Sequence, residues 1–405
     1  MTMHTSIKIT DISNDGAGVG RITAAENDCK TCNNGKAIFV PYTAIGDCIE
    51  AVEVKSKKSI VHAQLSRIIT ESPNRISVDC PYFTQCGGCD FRHISYEAEL
   101  KAKSNFIQNA FTKIGKLKPE FLPIIPSETT NYYRNNVQFQ VGRSQSGGLF
   151  YGFYAPKSKT IIPLSPESNC KLYHPEFAQI AEESLKQIQN SCRIPKQICI
   201  RKGHYSGETS AVADKTTLLI GKSKISDTMC GVKVNISPQS FYQVNTPAAE
   251  KLYGVIKEFA TPKDKIILDL YCGIGTIGLS LADEACEIIG IECVESAVRN
   301  AITNAKINGI QNARFICGDA AADFPENIHP DVVILDPARR GCDFSVLEKV
   351  AKLSPAKIVM VSCDPATAAR DCAVLATFGY RTLQVQGVDL FPRTRHVECA
   401  AVLES

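Results

Sequence analysis

A chain of 405 residues, 44% hydrophobic and 21% charged, is long enough for two or three globular domains that each bury a core. Its net charge of +3 permits nucleic-acid binding without arguing for it, because such a footprint is a local patch rather than a bulk excess. No apolar run has the length to cross a bilayer, and MTMHTSIKITDIS lacks the basic head and apolar stretch of a signal peptide. A cytoplasmic protein with no membrane partner is therefore expected, and in that reducing setting 18 cysteines point to metal ligation, catalysis or burial rather than disulfides.

In chain order, residues 1–70 read as short strands. SIKITDI, GKAIFVPYT and CIEAVEVKS are rich in β-branched residues and broken by Asn14-Asp15-Gly16, Asn33-Asn34-Gly35 and Gly46-Asp47, which predicts a small barrel of the OB type. Lys55-Ser56-Lys57-Lys58 is a candidate basic patch whose plainer reading is a solvated hairpin tip. Cys29-x2-Cys32 has no second pair nearby and reads as an inserted loop. In CPYFTQCGGC, Cys80, Cys86 and Cys89 surround two glycines that let backbone amides fold tightly around a metal centre. Cys170, isolated in the polar turn SPESNC, is the candidate fourth ligand. Zinc and an iron–sulfur cluster both take four thiolates, and the spacing leaves both open. Residues 95–115 read as one amphipathic helix, with Ser95 as N-cap and Gly115 near its end. Residues 130–235 mix short strands with one helix.

From about residue 236 apolar strands alternate with helical stretches, the pattern of an open α/β sheet. KIILDL leads into Gly273-x-Gly275-x-x-Gly278, and Glu292 ends the next strand nineteen residues past Gly273. That spacing fits a dinucleotide site and equally an S-adenosylmethionine (SAM) site, each using the acid on a ribose. Asp269, just before the glycines, suits a ligand bearing an amino group and a sulfonium, whereas it would repel a pyrophosphate. SAM is therefore favoured over NAD. Ligands in such sheets sit outside the carboxyl ends of the strands. Asp319 and Asp336 lie at two more of those ends, the first suited to an adenine amino group and the second facing the space for a methyl acceptor.

VSCDPATAARD, residues 361–371, ends a third strand. Asp364 reads as an N-cap and Pro365 as the first helical residue, so Cys363 lies at a helix N-terminus, where the local field favours a thiolate. Methylation of a pyrimidine at carbon 5 needs SAM and a thiolate together: addition to C6 makes C5 nucleophilic, and a base then removes the C5 proton. Glu398 is the candidate base and His396 the second choice.

The motifs CPYFTQCGGC, SFYQVN, DLYCGIGTIGL, DPARRG, SCDPATAARD and LFPRTRHVE, in this order, resemble the RNA uracil-C5 methyltransferase family, over nearly the whole chain. The resemblance implies an N-terminal TRAM barrel (1–70), a small mixed α+β iron–sulfur domain (71–235) and a Rossmann-like class I SAM methyltransferase domain (236–405). It implies a [4Fe–4S] cluster on Cys80, Cys86, Cys89 and Cys170, with SAM contacts from Gln243, Tyr271, Gly273, Thr276, Glu292, Asp319 and Asp336. It also implies Cys363 as nucleophile, Glu398 as proton acceptor, a flipped-out uridine, and Arg134 and Phe241 as RNA- or base-contacting residues. The chain departs from the family at Asp364, commonly Asn, whose charge should oppose a thiolate. It departs again at Arg393 and Arg395, which would meet RNA phosphates or offset Asp364. The DPAR motif resembles the 23S ribosomal RNA branch more than the tRNA branch. The rival readings are an NAD-dependent reductase and a non-catalytic RNA-binding assembly factor; no obligatory protein partner is evident.

Overall fold

A computed structural model describes residues 4–21, 35–238, 240–320 and 328–405. The Cys29/Cys32 pair lies outside these residues. The chain divides into two compact units, residues 1–106 with 154–159 and 393–395, and the remainder.

In the first unit, β1 (His4–Ile12), β2 (Ala17–Arg21), β3 (Ala37–Pro41), β4 (Cys48–Ser56) and β5 (Ile60–Thr70) close into a barrel in the order β1-β2-β3-β5-β4. The period of two along a strand explains the core: Ile7 and Ile9, Ile38 and Val40, and Ile49 and Ala51 all point inward. The Lys55–Lys58 cluster is the exposed tip between β4 and β5, closed by a bond from the Lys57 N–H to the Ile60 carbonyl. Asp47, fully buried, anchors the chain as it leaves the barrel by accepting from the Ala44 and Ser72 amides and from the Arg75 fork. Helix α1 (Tyr96–Asn109) starts where Ser95 accepts the Ala98 N–H at 3.2 Å, and it runs on through a π-helical turn, Ala110–Ile114, to Gly115. Its Ala102 and Phe106 pack with Phe91 and Ile94.

The second unit contains β6 (Glu120–Phe121), then β7 (Asn136–Arg143), β8 (Leu149–Tyr154), β9 (Ile161–Leu164), α2 (Glu176–Ile188), β10 (Gln197–Lys202), β11 (Thr209–Ala213) and β12 (Thr217–Gly221). Strands β7 to β12 form one sheet, ordered β12-β11-β10-β7-β8-β9. A hairpin of β13 (Ile225–Met229) and β14 (Val232–Ile236) follows, and then α3 (Thr246–Ala260). The hairpin's Ile225, Val234 and Ile236 share a hydrophobic cluster with α3 and the large sheet.

That large sheet is built from β15 (Ile266–Leu270), α4 (Thr276–Leu281), β16 (Glu287–Glu292), α5 (Glu295–Ile307), β17 (Ala313–Cys317), β18 (Val332–Leu335), α6 (Phe344–Lys352), β19 (Lys357–Ser362), α7 (Pro365–Thr377), β20 (Arg381–Val388) and β21 (Glu398–Glu404). Its order is β17-β16-β15-β18-β19-β21-β20-β6. The five strands from β17 to β19 are parallel, and β21 runs antiparallel to β19 and β20. Both faces are covered, so the strands are apolar throughout: Val359 and Val361 enter one core while Ile358 and Met360 enter the other. Each such buried side chain contributes roughly 1.5–3 kcal/mol. Ile107, Ala110 and Phe111 belong to the second of these cores. The chain leaves β15 outward to β16 and β17, then returns to β18 on the other side, so the strand order reverses between β15 and β18. A cleft outside the carboxyl ends is the physical result.

Candidate active site

Two strand ends of opposite direction meet at this edge. β19 finishes at Ser362, which pairs with Cys399 of antiparallel β21, so the next residue of one, Cys363, stands beside the preceding residue of the other, Glu398. Asp336 and Arg339 follow the end of β18, the neighbouring strand. The four side chains interact. Burial, then the Glu398 and Asp336 carboxylates, push the Cys363 thiol up to about 11, opposed by the guanidinium of Arg339, which also hydrogen-bonds the sulfur. Burial and Asp336 push Glu398 up to about 8, again opposed by Arg339, and burial alone pushes Asp336 up to about 6. The thiol is therefore protonated at neutral pH, which corrects the expectation that the helix N-terminus favours a resting thiolate: desolvation between two acids outweighs the helix field. His396 lies edge-on to Phe391, with ring centroids 6.1 Å apart.

Asp364 caps α7 as expected, accepting the Ala366 and Thr367 amides at 2.9 and 3.3 Å. The carboxyl groups that oppose the Cys363 thiolate most are Glu398 and Asp336. Arg393 and Arg395 both have partners within their own unit. The Arg393 N–H donates to Glu99 at 2.7 Å and its guanidinium to the Ile94 carbonyl, while Arg395 is paired with Asp90 at 3.2 Å.

The glycine loop lies at the end of β15. Tyr271 takes φ +65° and Gly273 φ +57°, and Gly275, at φ +82°, caps α4. A Cβ at Gly278 would lie 2.7 Å from Ile288 and 3.1 Å from the Asp269 carboxyl, so the helix can approach the sheet only with glycine there. Asp269 is fully buried and accepts the Gly278 N–H at 3.1 Å; burial, and to a lesser degree Asp336 and Glu292, push it up to about 8. Through one oxygen it thus braces the loop. Its second oxygen is buried without a partner, an acceptor that a ligand's amino group would complete. Glu292 accepts the Gly273 and Val294 amides at 3.1 and 2.8 Å, which aims it along the loop. Thr276 opens α4 and hydrogen-bonds Tyr253 at 2.8 Å. Asp319 is exposed beyond β17 and close enough to Tyr271 to help raise that hydroxyl. A loop with positive-φ backbone, an orphaned buried oxygen and an acid on the next strand fits SAM.

Residues 237–238 and 240–244 are clamped from several sides. Buried Arg201 donates to the Ser237 and Ser240 carbonyls, Asn300 to both serine hydroxyls, and Asn135 to the Gln243 carbonyl, while Tyr242 donates to Asp227. Gln243 is buried, but Phe241 in the same segment is 71% exposed. Arg134 adjoins this segment through Asn135, and its Nε is buried without a partner. Arg201, Asn300 and Arg339 were given no role in the sequence. The signal for Arg201 is a cation within the apolar run QICIR, and for Arg339 its place three residues past a strand-end acid.

The junction cysteines Cys80, Cys86 and Cys89 lie within electrostatic reach of one another, and the Arg92 guanidinium donates to the Cys89 sulfur at 3.4 Å. Among the described residues, however, no three His, Cys, Asp or Glu side chains converge on a point that would hold a metal ion. Also among the described residues, no helix is long and apolar enough to cross a membrane.

Fold and loop define a Rossmann-like SAM-dependent methyltransferase. A family model described as tRNA (Uracil-5-)-methyltransferase matches residues 172–405. The chain is 34% identical to an uncharacterized RNA methyltransferase of Halalkalibacterium halodurans, over 98% of this chain and 96% of that one. It is 33% identical to another of Clostridium tetani, over 97% and 94%. The crystal structure of the Pyrococcus abyssi tRNA (uracil-54, C5)-methyltransferase, in complex with S-adenosyl-L-homocysteine, superposes with a TM-score of 0.75 at 24% identity, covering 99% of this chain and all of that one, a likeness of fold. The chain belongs to the tRNA (uracil-5-)-methyltransferase family and is a SAM-dependent RNA methyltransferase.

Proposed function

We propose that the protein methylates carbon 5 of a uridine in RNA through a covalent bond between Cys363 and uracil C6. The observation that carries the reading is the β19–β21 register, Ser362 against Cys399, which sets a thiol and a carboxyl side by side at the edge that bears the glycine loop. Gln243, Tyr271, Gly273, Thr276, Glu292, Asp319 and Asp336 are assigned to the SAM site, with the buried free oxygen of Asp269 toward its amino group. When bound, SAM supplies an electrophilic methyl group.

Cys363 first loses its proton to solvent, and Arg339 steadies the thiolate. Sulfur adds to C6, moving the ring's electrons onto O4 and making C5 nucleophilic. Once C5 carries the methyl group, ionised Glu398 takes the C5 proton, the C5–C6 double bond reforms, and the S–C6 bond breaks to return the thiolate. Arg134 and Phe241 are assigned to the RNA, the exposed ring as a stacking surface for a flipped base. The barrel of residues 1–70 is assigned as a TRAM-type RNA-binding domain. Cys80, Cys86, Cys89 and Cys170 are assigned to a [4Fe–4S] cluster with a structural role, supported by the spacing, the resemblance and the mutual influence of the three junction thiols.

The favoured RNA is 23S rRNA, on the Asp336-Pro337-Ala338-Arg339 motif. A tRNA substrate is the second reading, favoured by the description of the matched family. Protein, labelled SAM and unmodified 23S rRNA fragments or tRNA, with nucleosides identified by mass spectrometry, should yield 5-methyluridine in one of the two. Methylation at another atom would overturn the reading.

A further inference from the structure

We infer that a basic cradle beside the Phe241 segment holds the RNA backbone next to the target uridine; this rests on the RNA reading above. The cradle is a cavity of about 520 Å³. One wall is the β11–β12 hairpin tip and the loop before β13, which bring Lys215 and Lys224. The other is one face of α5, where Ser296, Arg299, Asn300 and Thr303 recur at helical spacing. Its floor is Ser237 and Pro238.

The chemistry of this lining selects a polyanion. Three cations and several hydroxyls face the cavity, and among the described residues no carboxylate lines it. Glu295 is ion-paired with Arg299, but both side chains are mostly exposed, so a phosphate competes readily for the guanidinium. The floor is rigid, because Arg201 and Asn300 hold Ser237 and Ser240. Phe241 follows Ser240 directly and projects into solvent. A ring for a base and a cationic cradle for phosphates on one clamped segment form the pairing by which proteins hold single-stranded nucleic acid. Lys215 and Lys224 are exposed at a turn and a loop, and neither belongs to the catalytic group or to the residues assigned to SAM.

The test measures binding of labelled 23S rRNA fragments and tRNA by K215E/K224E and K215Q/K224Q between about 50 and 200 mM salt. We expect the neutral variant to bind roughly tenfold more weakly near 150 mM salt and the reversed one more weakly still. The slope of log affinity against log salt should fall by about 0.7 for each phosphate that the variant no longer neutralises. SAM affinity, the melting temperature and the rate at saturating RNA should stay as in the wild type. If the double variants melt early, R299Q on the opposite wall gives the same readout. Wild-type RNA affinity and salt slope in folded variants would overturn the inference, even while 5-methyluridine forms normally. Weakened RNA binding, with no 5-methyluridine made by the wild type, would support the cradle and sink the chemistry instead.

Discussion

Cys363 and Cys86 are both half-buried, and burial pushes both thiols up to about 11. What surrounds them differs. Cys363 has Glu398, Asp336 and Arg339, groups that accept, hold or offset a proton. Cys86 has Cys89 and Cys80, and nearby Arg92 bonds the Cys89 sulfur. An elevated thiol pKa is therefore no mark of function by itself; the company a thiol keeps decides between proton chemistry and metal ligation.

Substitutions at the two places should separate those roles. Cys363→Ala should lower methyl transfer by about 10⁴-fold or more with SAM affinity unchanged, as isothermal titration would show. Glu398→Gln should cost about 10²–10⁴-fold in turnover and leave a methylated RNA–protein adduct, because the C5 proton has no acceptor; a denaturing gel reads it directly. Loss of both SAM binding and adduct in that variant would mean that Glu398 serves the fold. Arg339→Gln removes a hydrogen bond to a charged sulfur, worth about 1.5–3 kcal/mol, so kcat/KM should fall roughly 10–100-fold and its alkaline limb move to higher pH. Cys86→Ser should abolish iron binding in protein reconstituted anaerobically while leaving SAM affinity intact; full iron content would remove the cluster assignment.

The pH dependence sharpens the contrast further. Both reacting groups have raised pKa values and both must lose a proton, so kcat/KM should rise with pH. The slope should approach two below about 8, where Glu398 still titrates, and one above it, where only the thiol does. A flat profile from pH 6 to 9 would mean that neither group ionises on the way to the transition state.

Much of this edge was legible in the residues. KIILDL, EIIGIE and KIVMVSC are apolar runs stopped by turn formers, and the strands end within a residue of where those runs do. The Asp364-Pro365 cap was legible because capping is local chemistry. The barrel was harder: β2, AGVGR, carries two glycines that hide its strand character. The state of the thiol was not legible at all. It depends on β21 running antiparallel to β19, which brings a carboxyl from 35 positions further along the chain beside the sulfur. The burial of Asp269 under α4 was hidden for the same reason, since it is a packing fact. Arg201 was invisible because the segment it holds lies 36 residues away.

The central claim is the bond between Cys363 and uracil C6, and trapping tests it most directly. RNA carrying 5-fluorouridine at the target has no C5 proton for Glu398 to remove, so the adduct should persist after methyl transfer. Wild-type protein with SAM should give a covalent complex whose digest maps the methylated base to Cys363, and Cys363→Ala should give none. An adduct on another residue, or none at all from protein that forms 5-methyluridine on ordinary RNA, would contradict the account.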